Sequence, residues 1–270
     1  MSRKFELFKK LHERPGVFVI PNPWDAGSAR ILTSLGFEAL ATTSGGLALS
    51  LGRRDSAQGL SREQVLANAQ AIVEATPLPV SADLEDGFGP SPEECAETIR
   101  LAASVGLVGG SIEDATGDKA DPIFEFQRAV DRVAAAANAA LSLPFILTAR
   151  AEGLLWGRPD LDDIIRRLQA FSAAGAHVLF APGLPSLDSI RTVCSAVDKP
   201  VNVVMGLKGA PYSVDELGAA GVKRISVGGS FARAAMSAFI RAAKEVKEQG
   251  TFTYASDSIP VTAYMSDAKR

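Results

Sequence analysis

Three carboxylates stand at the ends of short apolar segments, where each segment gives way to polar residues. Asp83 and Glu85 follow one such segment, and Glu113 closes the next one along the chain. Mg²⁺ prefers oxygen ligands, keeps several of its waters and takes one or two carboxylates directly. The residue types therefore predict a site for Mg²⁺, with Mn²⁺ as the alternative ion, formed by Asp83, Glu85 and Glu113.

Hydrogen-bond donors from other segments are expected to face these carboxylates. Arg150 ends a further apolar segment, and its planar guanidinium suits a carboxylate or a developing enolate oxygen. The other candidate contacts to a substrate are Thr42, Ser44, Gly45, Gly46, Asp83 and Asn202. Backbone N–H groups of residues 44–46 could form a nest for an anion. These residues indicate that the ligand is a small carboxylic acid, whose keto and carboxylate oxygens would complete the metal shell.

Each of these residues also has a purely structural interpretation. A single carboxylate after a strand is more often a helix cap than a ligand, and this applies most to Asp86 and Asp114. Residues 45–46 could be a bare turn, and Arg150 could simply neutralise the acidic cluster. Glu152 follows Arg150 closely but is assigned no role. The joint order of Asp83, Glu85, Glu113 and Arg150 favours a functional site.

The elements that would position this site are eight short apolar runs separated by amphipathic segments with helix-start signals. The runs are 17–20, 38–42, 78–84, 107–113, 143–150, 176–182, 199–205 and 223–229. Continuous apolar runs are typical of strands that are buried on both faces. Eight strand–helix units predict an α/β fold of the (β/α)8 TIM-barrel type, in which strand ends carry the catalytic groups. An open doubly wound sheet is the alternative, but GxGxxG and Walker motifs are missing.

The remaining sequence features limit the cellular context. The 270 residues carry a net charge of −3, which disfavours nucleic acid as a partner. No apolar run could span a bilayer, and the charged N-terminus lacks a signal-peptide core, so a cytoplasmic protein is expected. Cys95 and Cys194 are interpreted as packing residues. His12 is expected to be exposed to solvent, and His177 to lie at the end of the barrel away from the chemistry.

The chain resembles the isocitrate lyase/phosphoenolpyruvate mutase superfamily over nearly its whole length. The matching stretches are PNPWDAGSARILTSLGFEALATTSGGLALSLGRRD, SADLEDGFG, GGSIEDAT, LTARAEG, PVNVVMG and RISVGGSFARAA. The resemblance implies a magnesium-dependent barrel that holds a 2-oxo acid or its enolate on the metal. It implies that residues 44–46 grip the substrate carboxylate, that Arg150 faces the enolate oxygen and that Asn202 contacts the substrate. It places Asp55, with Asp83, Glu85 and Glu113, in the acidic metal site, and we expect Asp55 to take part in catalysis.

The chain departs from the lyases of this superfamily at three positions. Isocitrate-type lyases carry a lysine–cysteine–glycine–histidine lid motif, whereas residues 115–124 here contain Lys119 but neither cysteine nor histidine. The second metal-site acid is Glu85, which is longer than the usual aspartate. Residues 180–186, FAPGLPS, lack the glutamate that many lyases have there. We therefore expect residues 115–124 to form a lid that brings Lys119 to the substrate.

The leading functional hypothesis is a carbon–carbon lyase or decarboxylase that acts on a small 2-hydroxy or 2-oxo (di)carboxylic acid. A phosphonopyruvate mutase or hydrolase is the alternative, with Lys119, Arg158 and Lys208 as candidate cations for a phosphoryl group. A weakly active oxo-acid-binding protein is the non-enzymatic alternative. The catalytic domain is expected to span residues 1–250 and the C-terminal tail residues 251–270. The resemblance implies a homodimer or homotetramer with the last helix, 230–249, swapped between subunits.

Overall fold

Eight parallel strands form a barrel in the computed structural model, which describes residues 2–53, 59–207 and 209–265. The strands are β1 (Phe18–Ile20), β2 (Leu40–Ala41), β3 (Val80–Asp83), β4 (Gly109–Glu113), β5 (Ile146–Arg150), β6 (Val178–Phe180), β7 (Val201–Val204) and β8 (Arg224–Ser226). They pair in the order β1-β8-β7-β6-β5-β4-β3-β2. Between β1 and β2, the two ends of this order, the Ala41 N–H donates to the Pro21 carbonyl at 3.0 Å and brings the two strands together. The (β/α)8 fold predicted from the eight apolar runs is confirmed.

Ten α-helices accompany the strands in this part of the chain. They are α1 (Arg3–Glu13), α2 (Ala26–Ser34), α3 (Ser44–Ser50), α4 (Arg62–Ala75), α5 (Pro92–Ser104), α6 (Phe126–Ala140), α7 (Leu161–Ala173), α8 (Leu187–Ala196), α9 (Val214–Ala219) and α10 (Ser230–Gln249). Ser61 and Ser91 begin α4 and α5 with reciprocal capping boxes, in which each serine accepts from the third helical N–H. Because these caps are encoded locally, the sequence alone predicts where both helices begin.

Helix α1 closes the N-terminal end of the barrel. Its fully buried Phe8 packs with Phe18 and Ile20 of β1 and with Val178 of β6 in a separate apolar cluster. Gly109 of β4 makes room for this plug, since a Cβ there would lie 2.8 Å from the Phe8 ring. The barrel is therefore sealed at one end, and any ligand must enter from the other, where the strands terminate.

His12 is largely buried, and the expectation that it is exposed was wrong. Its ring stands edge-on to Phe8 and Phe18, with centroids 4.6 and 5.1 Å away. Burial, with Arg224 nearby, lowers the pKa of His12 to about 3, so the imidazole is neutral. Residues 1–16 are so rich in charge that their composition does not reveal the apolar face of α1. His12 lies on that face, one turn after Phe8.

The C-terminal segment leaves the barrel and folds back. Of the residues in α10, Ala232 is buried, while Phe239 and Ile240 further along are exposed. After α10 the Glu245 carboxylate accepts hydrogen bonds from the side chain and backbone of Thr253, which turns the chain around. A 3-10 turn over Val261–Tyr264 then contacts α2. Within the described residues the tail thus has local order, and Met265 reaches Gly27.

None of the helices within residues 2–53, 59–207 and 209–265 is long and apolar enough to span a bilayer. The cytoplasmic location expected from the sequence stays a prediction.

Replacing the plug side chain should destabilise the barrel. Phe8→Ala removes a fully buried ring, and we expect it to lower the free energy of unfolding by about 3–5 kcal/mol. Leu7→Ala is the matched control, because Leu7 is its neighbour in α1 but is 42% exposed, and the expected loss is about 0.5 kcal/mol. Urea unfolding of both variants measures the difference. Equal losses would show that α1 does not seal the barrel as described.

Candidate active site

A cavity of about 790 Å³ opens at the C-terminal ends of the strands. Nine of the predicted site residues line it: Thr42, Ser44, Gly45, Asp83, Glu85, Glu113, Lys119, Arg150 and Asn202. Asn202 lies within β7, and each of the others comes from a strand end or from the segment that follows it, so the parallel barrel brings distant stretches of sequence to one place. Residues 155, 156 and 180 add an apolar wall.

Arg150 is the centre of the charged cluster in this cavity. Its Nη1 lies 3.0 Å from Asp83 Oδ1, its Nη2 3.2 Å from Glu113 Oε2 and its Nε 2.7 Å from Glu152 Oε1. The guanidinium also stands 5.0 Å from the centre of the Phe180 ring. One cation therefore holds three carboxylates from β3, β4 and β5 in fixed positions.

The three carboxylates exceed the charge of Arg150 by two. Burial raises the pKa of Glu113 well above its ordinary value, although Arg150 opposes the shift, and burial raises the pKa of Glu152 in the same way. Burial alone would lower the pKa of Arg150, but the carboxylates around it raise that pKa, so the guanidinium stays charged. A second cation in the cavity would relieve the excess negative charge.

Residues 44–46 form the first turn of α3, whereas the sequence had suggested a nest for an anion or a bare turn. The Ser44 N–H and hydroxyl both donate to Asp83 Oδ2, at 3.2 and 2.8 Å. Gly46 points away from the cavity, because a Cβ there would lie 2.6 Å from the Thr43 side chain and 2.9 Å from Trp24. Ser44 thus orients a carboxylate of the cluster, and Gly46 allows α3 to pack.

Glu85 sits on a strained loop. It adopts a φ of 47°, and Phe88 a φ of 60°, in the left-handed region that side-chain-bearing residues rarely occupy. The fully buried Arg132 of α6 holds this loop by donating to the carbonyls of Asp86 and Gly89. Such strain persists only where the surroundings impose it, so packing beneath the loop fixes the position of Glu85.

Asn202 lies in β7 and is almost fully buried. Its Nδ2 donates to Ser226 Oγ at 3.0 Å, and its Oδ1 accepts from Arg224 Nε at 2.8 Å. These two bonds fix the positions of the amide oxygen and nitrogen. One Nδ2 hydrogen goes to Ser226, and the other points away from it. Since Asn202 lines the cavity, this hydrogen is available to a ligand there.

The loop after β4 stands over the cavity and is held by its own hydrogen bonds. Ala115 and Ile123 form an antiparallel bridge, and the Thr116 N–H donates to the Pro122 carbonyl at 2.9 Å. Lys119 is at the exposed tip of this loop and lines the cavity. The position agrees with the predicted lid, whereas its movement stays a prediction.

Two predicted site residues are not placed in the cavity. Asp55 lies outside the described residues, so its role stays a prediction. Gly46 lies in α3 and faces Thr43 and Trp24 instead of the cavity. Of the cations considered for a phosphoryl group, Lys208 is also outside the described residues. Arg158 lies away from the cavity and pairs with Asp121 at 3.6 Å. Lys119 is the member of that set that lines the cavity.

Several polar residues of the cavity were not predicted from the sequence: the charged Glu152, Arg224 and Arg233, and the uncharged Asn22, Thr43, Ser81, Ser111 and Ser226. Glu152 could have been found, because it stands two residues after Arg150, the spacing of side chains on one face of a strand. Arg224 could have been suspected as a charged residue inside an otherwise apolar strand. Arg233 is the fourth residue of α10, and nothing in its local sequence distinguishes it from a surface arginine of that helix.

Both cysteines lie on helices of the barrel, as the sequence analysis expected. Cys95 is buried in α5 and Cys194 is half-buried in α8, and neither lines the cavity. Burial raises the pKa of each thiol to about 11, so neither is a thiolate at neutral pH.

Comparisons with known proteins agree with this geometry. The model of the phosphoenolpyruvate phosphomutase family matches residues 8–247. A Burkholderia cenocepacia J2315 protein, assigned only as a lyase or mutase, is 54% identical, with a TM-score of 0.95 over 98% of this chain and 96% of that one. 2-Methylisocitrate lyase of Escherichia coli K12 is 32% identical over 208 residues, which are 73% of this chain and 69% of that enzyme.

A further solved structure, that of 2,3-dimethylmalate lyase, has a TM-score of 0.87 at 26% identity and covers 98% of this chain and 95% of that one. It is described as a member of the PEP mutase/isocitrate lyase superfamily, whose lyases cleave carbon–carbon bonds. The resemblance noted in the sequence is therefore confirmed. The chain belongs to the phosphoenolpyruvate phosphomutase family, within the isocitrate lyase/PEP mutase superfamily.

Proposed function

We propose that the protein is a Mg²⁺-dependent lyase or decarboxylase, with Mn²⁺ as the alternative ion, that acts on a small 2-hydroxy or 2-oxo (di)carboxylic acid. The observation that carries this proposal is the cluster of Asp83, Glu113 and Glu152 on one guanidinium, at the wall of a cavity lined by donors. The lyases among the relatives, named for 2-methylisocitrate and 2,3-dimethylmalate, support the substrate class.

The donor set fits a hard divalent cation. The candidate ligands are all carboxylate oxygens, the donors that Mg²⁺ prefers. No group of three or more His, Cys, Asp or Glu side chains among the described residues is placed to hold a metal ion, so the proposed ion would take one or two carboxylates directly and keep water in the rest of its shell. This suits Mg²⁺, which takes few protein ligands directly. When bound, the ion would polarise the oxygens of the acid and compensate for the excess negative charge.

Arg150 and the neutral donors would orient the acid. Lyase and decarboxylase chemistry develops negative charge on the oxo oxygen in the transition state. A fixed guanidinium beside that oxygen therefore stabilises the transition state more than the ground state. Asp83, Glu113 and Glu152 hold the guanidinium rigid, so little reorganisation is needed. Thr42 and the Asn202 amide line the same cavity and would supply neutral donors for a carboxylate of the acid.

Lys119 is the candidate for the group that handles the proton. It is the lysine among the described residues that lines the cavity, and it stands on the loop that covers the opening. Closure of the loop would exclude water and bring the ammonium towards the developing charge. Asp55 completes the proposed catalytic set from its position in the matching sequence stretch alone.

A phosphonopyruvate mutase or hydrolase is the second candidate function. Three cationic side chains besides Arg150, those of Lys119, Arg224 and Arg233, line the cavity, and the matching family model is that of a phosphomutase. A weakly active binding protein for oxo acids would share the same site. Products distinguish these alternatives, because only a lyase or decarboxylase breaks a carbon–carbon bond.

We further propose that the protein is a homodimer or homotetramer in which α10 is exchanged between subunits. The exposed Phe239 and Ile240 lie on a helix that has little contact with its own barrel. Phe252 and Ile259 of the returning tail are exposed as well. A second copy of the chain would cover these apolar side chains.

The experiment that tests the function is a substrate panel. The purified protein, with Mg²⁺, is incubated with oxo-, hydroxy- and phosphono-acids, and products are identified by ¹H and ³¹P NMR. Release of a smaller oxo acid supports the lyase, and a new phosphorus resonance supports the second candidate. Tight binding of an acid with no product from any member of the panel would contradict both enzymatic proposals.

Removing the metal or one of its proposed ligands should abolish turnover. Treatment with EDTA should reduce activity to background, and Mg²⁺ or Mn²⁺ should restore it. Asp83→Asn keeps the shape of the side chain but removes one negative charge, so we expect kcat to fall by about 100-fold or more and Mg²⁺ affinity to fall with it. The matched control is Asp198→Asn, at the opposite end of the barrel before β7, with kcat within about twofold.

Full activity after exhaustive chelation would contradict the metal proposal. Circular dichroism and thermal melting establish that Asp83→Asn remains folded, which we expect because Arg150 keeps Glu113 and Glu152 as partners.

The lid residue should affect turnover more than metal binding. We expect Lys119→Ala to lower kcat by more than about tenfold, since it removes the cation above the reacting atoms, while Mg²⁺ affinity changes by less than about threefold. Lys199→Ala, at the closed end of the barrel, is the control and should leave kcat unchanged. The lid proposal is contradicted if Lys119→Ala has unaltered kinetics and if Mg²⁺ and oxalate do not change the rate of proteolysis within residues 115–124. The loop would then be a static connector.

A further inference from the structure

Beneath the charged cluster lies a second arginine with very different surroundings. Arg224 of β8 is buried inside the barrel, in register with Phe18 of β1 and Asn202 of β7, and it lines the cavity. Its partners are all neutral. None of the ion pairs formed by the described residues includes it, whereas Arg150 has three carboxylates within 3.2 Å.

The hydrogen bonds of Arg224 fix its position across the barrel. Nε donates to Asn202 Oδ1 at 2.8 Å, Nη2 donates to Thr148 Oγ1 at 2.9 Å, and Nη1 lies 3.4 Å from His12 Nε2. His12 Nδ1 lies 2.8 Å from the Phe8 carbonyl, which can only accept, so the ring proton is on Nδ1. Nε2 is then an acceptor for the guanidinium, and the plug helix holds Arg224 from below.

The bond to Asn202 decides which way its amide points. Because Arg224 has no acceptor, the atom that it contacts must be Oδ1, and the NH₂ group must occupy the other side. There it donates to Ser226 Oγ and keeps one N–H for the cavity. Without Arg224 the amide could flip and present its oxygen, which would repel a carboxylate.

Arg224 also contributes charge. Burial without a carboxylate partner lowers its pKa to about 9, so it is still protonated at neutral pH but lacks compensation from the protein. An anion in the cavity would supply that compensation, since electrostatic interactions are strong in a poorly hydrated interior.

We infer that Arg224 is a positioning residue for substrate binding: it locks Asn202 with an N–H towards the cavity and places an uncompensated positive charge beneath the substrate carboxylate. This inference rests on the proposed function, because it requires that the ligand is a carboxylic acid. It goes further by assigning the recognition of that carboxylate to the pair Arg224–Asn202.

Three substitutions separate the two contributions of Arg224. Arg224→Gln keeps an N–H donor without the charge, Arg224→Lys keeps the charge, and Arg224→Met removes both. Lys223→Gln is the matched control, because Lys223 precedes Arg224 but binds the carbonyls of Arg14 and Gly16 outside the barrel. The probe is oxalate, titrated by calorimetry into the full-length protein at saturating Mg²⁺, with Mg²⁺ binding alone as the second readout.

We expect Arg224→Met to weaken oxalate binding by about tenfold or more, as loss of a charged hydrogen bond should. Arg224→Lys and Arg224→Gln should show smaller losses, and Lys223→Gln none. Mg²⁺ affinity should change by less than about threefold in every variant, which a general disturbance of the fold would not produce. If Arg224→Met does not fold, Arg224→Gln carries the same comparison, since it retains one of the three hydrogen bonds.

A double-mutant cycle tests whether Arg224 acts through Asn202. In an Asn202→Ala background the effect of Arg224→Met on oxalate affinity should shrink by at least half, because the amide that it orients is gone. Unchanged oxalate affinity in Arg224→Met, with wild-type binding intact, would overturn the inference and leave the proposed function standing. Absence of oxalate binding by the wild-type protein would overturn both.

Discussion

The guanidinium of Arg150 holds together the part of the molecule on which the chemistry depends. It joins the ends of β3, β4 and β5 by binding Asp83, Glu113 and Glu152, and without it three carboxylates would share one buried site. Like charges at that distance cannot all remain ionised without a counter-charge. One arginine leaves the cluster with an excess of negative charge, and this excess is the physical reason for expecting a divalent cation beside it.

The rest of the barrel serves to keep that arrangement rigid. The plug formed by Phe8 and Gly109 seals one end, so water and ligand reach the cluster only from the other. Arg132 holds the strained loop that carries Glu85, and Arg224 holds Asn202. Buried arginines thus do three separate tasks here: one binds carboxylates, one binds backbone carbonyls and one orients an amide. In each case the side chain is fixed by several acceptors at once, which is how a catalytic arrangement becomes preorganised.

Much of the fold, and part of the site, could be predicted from the sequence. Each of the eight apolar runs contains a strand, because a parallel strand that is buried on both faces needs a continuous apolar pattern. The acids were found because strand ends mark the active face. The first turn of α3 was missed, since consecutive glycines resemble a turn until the packing of Gly46 against Trp24 is known. The burial of His12 was missed because the charged residues around it in α1 mask the apolar face that it shares with Phe8. Arg224 stood out as a charged residue in an apolar strand, but its partners Asn202, Thr148 and His12 lie 22, 76 and 212 positions away, so local sequence could not identify them.

The central claim is that the excess charge around Arg150 creates a site for a divalent cation that carries a carboxylic acid. Mn²⁺ bound to the protein can be counted directly from the loss of the electron paramagnetic resonance signal of the free ion, with and without oxalate. The account predicts one Mn²⁺ per chain, at least tenfold tighter in the presence of oxalate, and displaced by Mg²⁺. Glu113→Gln, which removes the negative charge of one proposed ligand, should abolish that gain. Binding of Mn²⁺ that is unaffected by oxalate and by Glu113→Gln would contradict the account.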